Sequence, residues 1–562
     1  MPSHTEAAAA VDLLSESMLE LWQERDPFRA APFGYPAAAR LLPQYGESAV
    51  ERRRHALTSL AAQARAVSEE GLDPQRRLTR EILIEQSESA AQLMAADTEV
   101  FTVNLPREFS AASVVRGMTK TAVVDEQSGL AYLARLRQLP AFLDTDLGLL
   151  DRGVAEGRAP LRRPLEVTLA ELDGHLSTEL GDDPLLGVLR GEWDGAAAWR
   201  DAAERVVAEI VRPALARFTS RVRQAVLPEA RGDDRPGLCW IPRGEEAYAA
   251  FLREEITLPV DPLRLHEEGL ATMAEIGAEL SRLGRAVLGE SDPAAIVERL
   301  RSDLSLAYTS GEDALAAAAA SMADVEAALP GFFARELPHC EVAAMPAATA
   351  KHYGGGQYMP GAADGSRSGV FYINTTGTRF RHEVRGMVTG GAVPGSHVFW
   401  SYAFAADVPA FRRVAFVPAF VKGWASYGGR LALEMGQFSD PLEELGFWAK
   451  QAVNAARQVV DTGVHAKGWT RDAALGYLIA HTALSQRDAE TELSRLIAMP
   501  GEGPIFAFGG RQIAAARAEA EAALGAAFDL GRFHDHLLRD GAMPLATMRA
   551  RMTEWARSTA TA

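Results

Sequence analysis

The chain has 562 residues, a formal net charge of -17, and 48% hydrophobic against 24% charged residues, the balance of a globular protein rather than a disordered one. This length allows two to four domains or one large helical body. The acidic surplus argues against nucleic acid or an anionic membrane as a main partner, because both call for a basic surface.

In chain order, the opening MPSHTEAAAAVDLLSESMLELW carries Glu6, Asp12 and Glu16 and no basic n-region. It is a poor secretory signal and reads as a first amphipathic helix. From about 10 to 230, RRRHALTSLAAQARAV, LTREILIEQSESAAQLMA, LAYLARLRQLPAFLDTDLGLL and WRDAAERVVAEIVRPALARFTSRV place apolar residues at helical spacing. The Gly, Pro and Asp cluster in PEARGDDRPGLCWIPRGEE marks a junction, which divides the chain into an N-terminal helical lobe, 1–230, and a C-terminal lobe, 231–562, unless the two form one continuous domain. Helices resume in EEAYAAFLREE, PLRLHEEGLATMAEIGAELSRLG and GEDALAAAAASMADVEAALPGFF. Between about 338 and 376 the β-rich runs CEVAAM and GVFYINT alternate with Gly-rich turns, so a small sheet is expected there. Helical segments follow at 380–391, 397–405, 417–436, 440–463, 470–481, 485–497, 509–524 and 544–558. Two cysteines, Cys239 and Cys340, argue against a disulfide framework or a Cys-rich zinc site and fit a reducing compartment. No run approaches the roughly 20 apolar residues of a bilayer crossing. A cytoplasmic location without membrane contact is expected.

DGSRSGVFYINT, VVDTGVHAKGWT, LIAMPGEGPIFAFGG and FHDHLLRDGAMPL, with EEAYAAFLREE and LHEEGLATMAEI upstream, resemble the bacterial family called domain of unknown function 885 over nearly the whole chain. The resemblance implies a mainly α fold: a large helical body of the zincin-like metallopeptidase type with a small β-sheet beside a central cleft. In that family the segment matching GGAVPGSH reads His-Glu-Ala-x-Pro-Gly-His-His, and the one matching KGWASYGG reads Glu-Gly-Trp-Ala-x-Tyr-x-Glu. A catalytic zinc takes three protein ligands from His and carboxylates plus a water, with a nearby Glu as general base. Here Gly390 and Gly391 replace the His-Glu pair, Ser396 the next His, and Lys422 and Gly429 the two Glu. His397 alone is left, and one imidazole beside an ammonium does not hold a zinc. No metal and no cofactor are expected.

Gly390, Gly391, Gly428 and Gly429 interrupt runs that otherwise favour helix, each costing about 0.5 to 1 kcal/mol relative to Ala. They suggest a pocket opened by lost side chains and turned toward anions by Lys422; degeneration of a discarded site is the blander reading. His397 is a candidate lone acid or base, or else a buried structural histidine. His465 resembles a family histidine near the substrate, or else braces the helix end beside Gly463. His382-Glu383 is not a His-Glu-x-x-His motif, since residue 386 is Gly386. Tyr353, Tyr358, Arg367, Tyr372 and Asn374 surround the Gly-rich sheet region, where GVFYINT is expected as an edge strand pairing with an extended substrate. Ser396, Trp424 and Tyr427 complete the expected substrate lining. YGGGQYMPG and FGGRQIAAAR match neither dinucleotide nor phosphate-loop spacing.

These residues point first to a metal-independent enzyme. It would carry out acid/base chemistry, a lyase, cyclisation or hydrolysis step, on a small carboxylate- or amide-bearing molecule, with a place in specialised metabolite biosynthesis. His397 and His465 would move protons and Lys422 would stabilise an anion. The alternative is a non-catalytic pseudo-peptidase that binds a peptide, metabolite or partner protein. A third reading is a zinc hydrolase with displaced ligands. The expected partner is a small molecule or short peptide, and the oligomeric state is left open.

Overall fold

Segments with 3.6-residue apolar spacing are helical in the computed structural model, which describes residues 4–30, 36–98, 110–350, 354–362, 367–414 and 416–560. Four helices open on the same device: Asp73, Asp261, Asp292 and Asp440 each accept hydrogen bonds from the first free backbone N–H groups, and a proline follows at the first helical position. The carboxylate satisfies donors that lack an intrahelical partner, and proline sets φ where its missing N–H costs nothing. The helices after the sheet are Arg381–Gly391, Ser396–Ala405, Ala410–Val414, Pro418–Glu434, Pro441–His465, Arg471–His481, Gln486–Ala498, Ile505–Leu524, Leu530–Leu538 and Leu545–Ala560. All but the Ala410–Val414 and Leu530–Leu538 helices match expected segments. FHDHLLRD is short and half polar, and it is helical because Phe533, Leu537 and Leu538 bury one face in the core.

The sheet has three strands, β1 (Glu341–Ala344), β2 (Gly356–Met359) and β3 (Val370–Ile373), in the order β1-β3-β2. β1 runs parallel to β3 and β2 antiparallel to it, with Tyr358 opposite Phe371. This corrects the expectation for GVFYINT: β3 is the central strand, and β2 lies on its flank toward the Arg381–Gly391 helix. A near-continuous apolar run such as Val-Phe-Tyr-Ile suits a strand covered on both sides.

The hydrophobic core does not divide at residue 230. One core joins Val11, Ile82 and Leu83 to Phe251, Trp424, Ile513 and Met548, while a second lies within residues 42–230. Polar contacts repeat the union: buried Arg412 donates to Gln75 Oε1 at 3.1 Å, Thr79 Oγ1 at 3.1 Å and the Asp540 carbonyl at 2.5 Å. The N-terminal helices are thus part of the wall behind the C-terminal helices.

Candidate functional site

The Arg381–Gly391 and Pro418–Glu434 helices meet where the four glycines lie, and each glycine does a different job. A Cβ on Gly428 would stand 2.9 Å from Gly395 Cα and 3.0 Å from its nitrogen, so Gly428 lets the helix touch the Pro394-Gly395 turn. A Cβ on Gly391 would press on the Phe371 ring at 2.8 Å. Gly390 and Gly429 alone leave room: the nearest atoms lie at 3.5 Å, the Ala425 carbonyl oxygen, and at 3.6 Å, Phe447 Cε2. The expectation of four residues opening one pocket therefore holds for two of them, because the others are consumed by close backbone and ring packing.

The expected proton carriers are braces. His397 is buried, with Nδ1 accepting from the Tyr358 hydroxyl at 3.0 Å and Nε2 donating to the Pro338 carbonyl at 2.8 Å; burial pushes its imidazole below the usual range. It ties β2 to the chain entering β1. His465 accepts at Nδ1 from the Leu238 N–H at 3.3 Å and donates from Nε2 to the Leu496 carbonyl at 3.1 Å. Burial takes it down to about 4. With both nitrogens of both rings engaged, neither ring has a free position for a substrate proton.

Several expected lining residues are structural as well. Trp424 is fully buried and its indole N–H donates to the carbonyls of Pro394 and Gly395 at 3.1 and 3.0 Å. Tyr427 pairs with His534 at 2.8 Å inside an aromatic cluster with Trp424. Asn374 donates to the Ala350 carbonyl and accepts from Thr376, closing a turn after β3. Exposed Arg367 donates to the carbonyls of Ser368 and Pro360 and fastens the β2–β3 connection. Tyr372 and Ser396 are half-buried, Tyr372 on the sheet face opposite Phe371. Tyr353 lies outside the described residues. Lys422 is half-buried beside two aromatic rings, its Nζ 5.8 Å from the Phe416 centroid and 5.7 Å from that of Phe506.

A second cluster lies beside it, between the Arg381–Gly391, Pro441–His465 and Gln486–Ala498 helices. Phe447, Lys450, Gln451, Asn454 and Arg457 recur at three- and four-residue intervals and so share a face of the Pro441–His465 helix. That face meets the glycine site directly, since Gln451 Nε2 would lie 3.8 Å from a Cβ on Gly429 and its Oε1 is 3.5 Å from Ser426 Oγ. Glu383, on the facing helix, accepts from the Phe380 N–H at 3.3 Å, stands 3.6 Å from Arg379, and keeps 30% of its side chain exposed. Lys450 is exposed and makes no hydrogen bond or ion pair with any described residue. Both groups are nevertheless desolvated by the surrounding protein, as side chains lining a recess between the three helices are. Burial pushes the Lys450 ammonium down to about 8, helped by the Arg457 and Arg495 charges and opposed by Glu492 and Glu383. Burial likewise raises the Glu383 carboxyl, against the charge of Arg379.

The cleft wall is a charge network. Arg457 forms a two-point bridge to Glu492 at 2.9 and 3.0 Å and donates to Asn454 at 3.1 Å. Arg495 joins Glu492 to Glu502. Burial would raise the Glu492 carboxyl, but the Arg457 and Arg495 charges outweigh it and hold the group at about 2. Arg457 also lies over Phe506, 5.1 Å from the ring centroid, so this phenylalanine carries Arg457 and Lys422 against one ring.

The zinc implied by the motif resemblance has no donor set among the described residues. The matching positions hold glycines, a serine and an ammonium, His397 has both nitrogens bonded, and among the described residues no group of three His, Cys, Asp or Glu side chains is placed to hold a metal ion. The residues present do not fit a zinc.

Two solved structures share the fold over almost the whole chain. A "putative lipoprotein" from Colwellia psychrerythraea is 23% identical with a TM-score of 0.86, covering 98% of this chain and 99% of its own. A "putative lipoprotein of unknown function" from Shewanella oneidensis is 16% identical with a TM-score of 0.76, covering 98% and 100%. No curated protein matches the chain. The family model for the bacterial proteins of unknown function called DUF885 matches residues 27–552. By fold and by sequence along that span, the chain belongs to the DUF885 family.

Proposed function

We propose that this chain is a metal-independent enzyme that performs acid/base chemistry, a lyase, cyclisation or hydrolysis step, on a small carboxylate- or amide-bearing molecule, with Lys450 and Glu383 moving the protons. One observation supports this reading: Lys450, without a hydrogen bond or ion pair among the described residues, and Glu383 stand on packed helices near enough for each charge to act on the other. Burial disfavours the charged form of each, lowering the lysine and raising the glutamic acid, so both move toward the pH range where proton transfer is most efficient. Gln451 offers an amide beside them, and Lys422 with Arg457 makes the neighbouring wall cationic. The metallopeptidase-like ancestry of the scaffold belongs to this proposal and rests on the resemblance of GGAVPGSH and KGWASYGG to the family motifs. The cytoplasmic location belongs to it too, and rests on two free cysteines.

Thermal melting with a panel of small mono- and dicarboxylates and their amides tests the reading, followed by NMR of each ligand that binds. At about 100-fold saturation a ligand is expected to raise the midpoint by roughly 2 to 4 °C, with the shift lost in Lys450→Met and a new product in the NMR spectrum. Stabilisation without product supports the pseudo-enzyme instead. A panel that shifts wild type and Lys450→Met equally removes the cleft from consideration.

A further inference from the structure

We propose that Lys450 is a covalent centre whose amine condenses with the carbonyl carbon of a small 2-oxo acid or aldehyde-acid to form an imine. The inference rests on the reading of the cleft given above and adds the substrate class. Its first support is composition. Of 58 basic residues only five are lysine, Lys120, Lys351, Lys422, Lys450 and Lys467, so this chain answers nearly every need for positive charge with arginine. Arginine does not lose its proton in a protein, whereas a surrounded lysine does. A lysine with Arg457 on its own helix and Arg495 on the facing one supplies something charge alone does not.

The second support is placement. The crossing of the Arg381–Gly391 and Pro441–His465 helices is tight: a Cβ on Gly446 would strike the His382 carbonyl oxygen at 1.8 Å. Lys450 lies one turn beyond Gly446 and Glu383 one residue beyond His382, so the two side chains rise from the same crossing on adjacent helices. The charged groups acting on Lys450 are Glu383 from one wall, Glu492 and Arg495 from another, and Arg457 from its own helix. None of them is hydrogen-bonded to it. An amine held near 8 has an appreciable neutral fraction at physiological pH. The Gln451 carboxamide nitrogen, adjacent in sequence and without a protein acceptor among the described residues, provides a donor for the substrate carboxylate.

The chemistry balances within these groups. The neutral amine attacks the carbonyl carbon, the C–N bond forms, and the ammonium proton passes to the former carbonyl oxygen. The carbinolamine then loses that oxygen as water, taking one proton from the Glu383 carboxyl. A protonated imine is left facing a Glu383 carboxylate, and hydrolysis reverses the sequence.

Reductive trapping decides the matter. Full-length protein is treated with pyruvate or glyoxylate and cyanoborohydride, and the modified lysines are mapped by peptide mass spectrometry. Lys450 is expected to gain one N-carboxyalkyl group at an initial rate on the order of tenfold or more above Lys120 and Lys467. The rate should rise as the pH passes about 8. Lys450→Arg should abolish that label and leave the other two, and Glu383→Gln should slow Lys450 alone. Labelling of Lys450 no faster than of Lys120 and Lys467 overturns the proposal. If that result comes with carboxylates still stabilising wild type but not Lys450→Met, the imine falls and the acid/base reading stands; loss of both results removes both.

Discussion

Replacing Gly509 with alanine is expected to lower stability by about 3 kcal/mol or more, measured as a fall in the urea midpoint at unchanged slope. A Cβ at this position would lie 2.0 Å from the Ala419 carbonyl oxygen and 3.0 Å from Gly423 Cα. Both obstacles are backbone, so the Pro418–Glu434 and Ile505–Leu524 helices must separate along their crossing. That separation would disturb Lys422 and Phe506, which these two helices carry. The gain in helix propensity, about 1 kcal/mol, does not offset the clash. Gly429→Ala is the contrasting variant. Its new methyl meets nothing closer than 3.6 Å, so it should be neutral or stabilising by up to about 1 kcal/mol. A large loss in Gly429→Ala would show that the space beside Gly390 is not there.

This contrast marks how much of the molecule was legible in its sequence. Helical class and most helix positions follow from apolar spacing, which is local. β2 went unseen because Gly-Gln-Tyr-Met has no alternation and starts on glycine; it is a strand because β3 supplies its pairing partner. The glycine pairs were visible as anomalies, yet nothing local separates Gly428, which touches backbone, from Gly429, which has room. Lys450 gave no signal at all. In PLEELGFWAKQAVNAARQVVDTGVH it resembles any polar residue on a helix face, and only the packing of three helices turns that face into a cleft wall. His397 and His465 misled for the opposite reason. Histidine in a family-like motif suggests chemistry, and the hydrogen bonds that make each ring structural come from residues 59 and 227 positions away.

Those buried rings set the response to acid. The protein is expected to unfold cooperatively on titration from pH 7.5 to pH 4, followed by tryptophan fluorescence and circular dichroism. Burial depresses His382 and His465 to about 4 and His534 to about 3. For a group with a lowered folded pKa, stability is fully present above the unfolded value, 6.5, and is lost as the pH falls toward the folded one. A shift from 6.5 to about 4 is worth about 3 kcal/mol for a fully buried ring such as His465. Hydrogen bonding gives the same sign for His465: its Nδ1 accepts from the Leu238 N–H, which can only donate, and a proton on that nitrogen breaks the bond. Asp461 opposes the trend. Burial outweighs its bonds to Tyr248, Gly501 and Gly503 and raises it to about 7, so its contribution is full below 3.8 and is lost as the pH rises through 7. Burial also lowers His266, His397, His481 and His536 and raises Glu81, Glu85, Glu383 and Glu443; the rings titrate across the range followed and the expected net is a loss of stability in acid. His465→Gln retains one acceptor and one donor without the titration and should move the acid midpoint to lower pH. A fold intact at pH 4 would mean that solvent reaches the rings, and would return His397 and His465 to the candidates for proton transfer; acid unfolding near pH 5 leaves that work to Lys450 and Glu383.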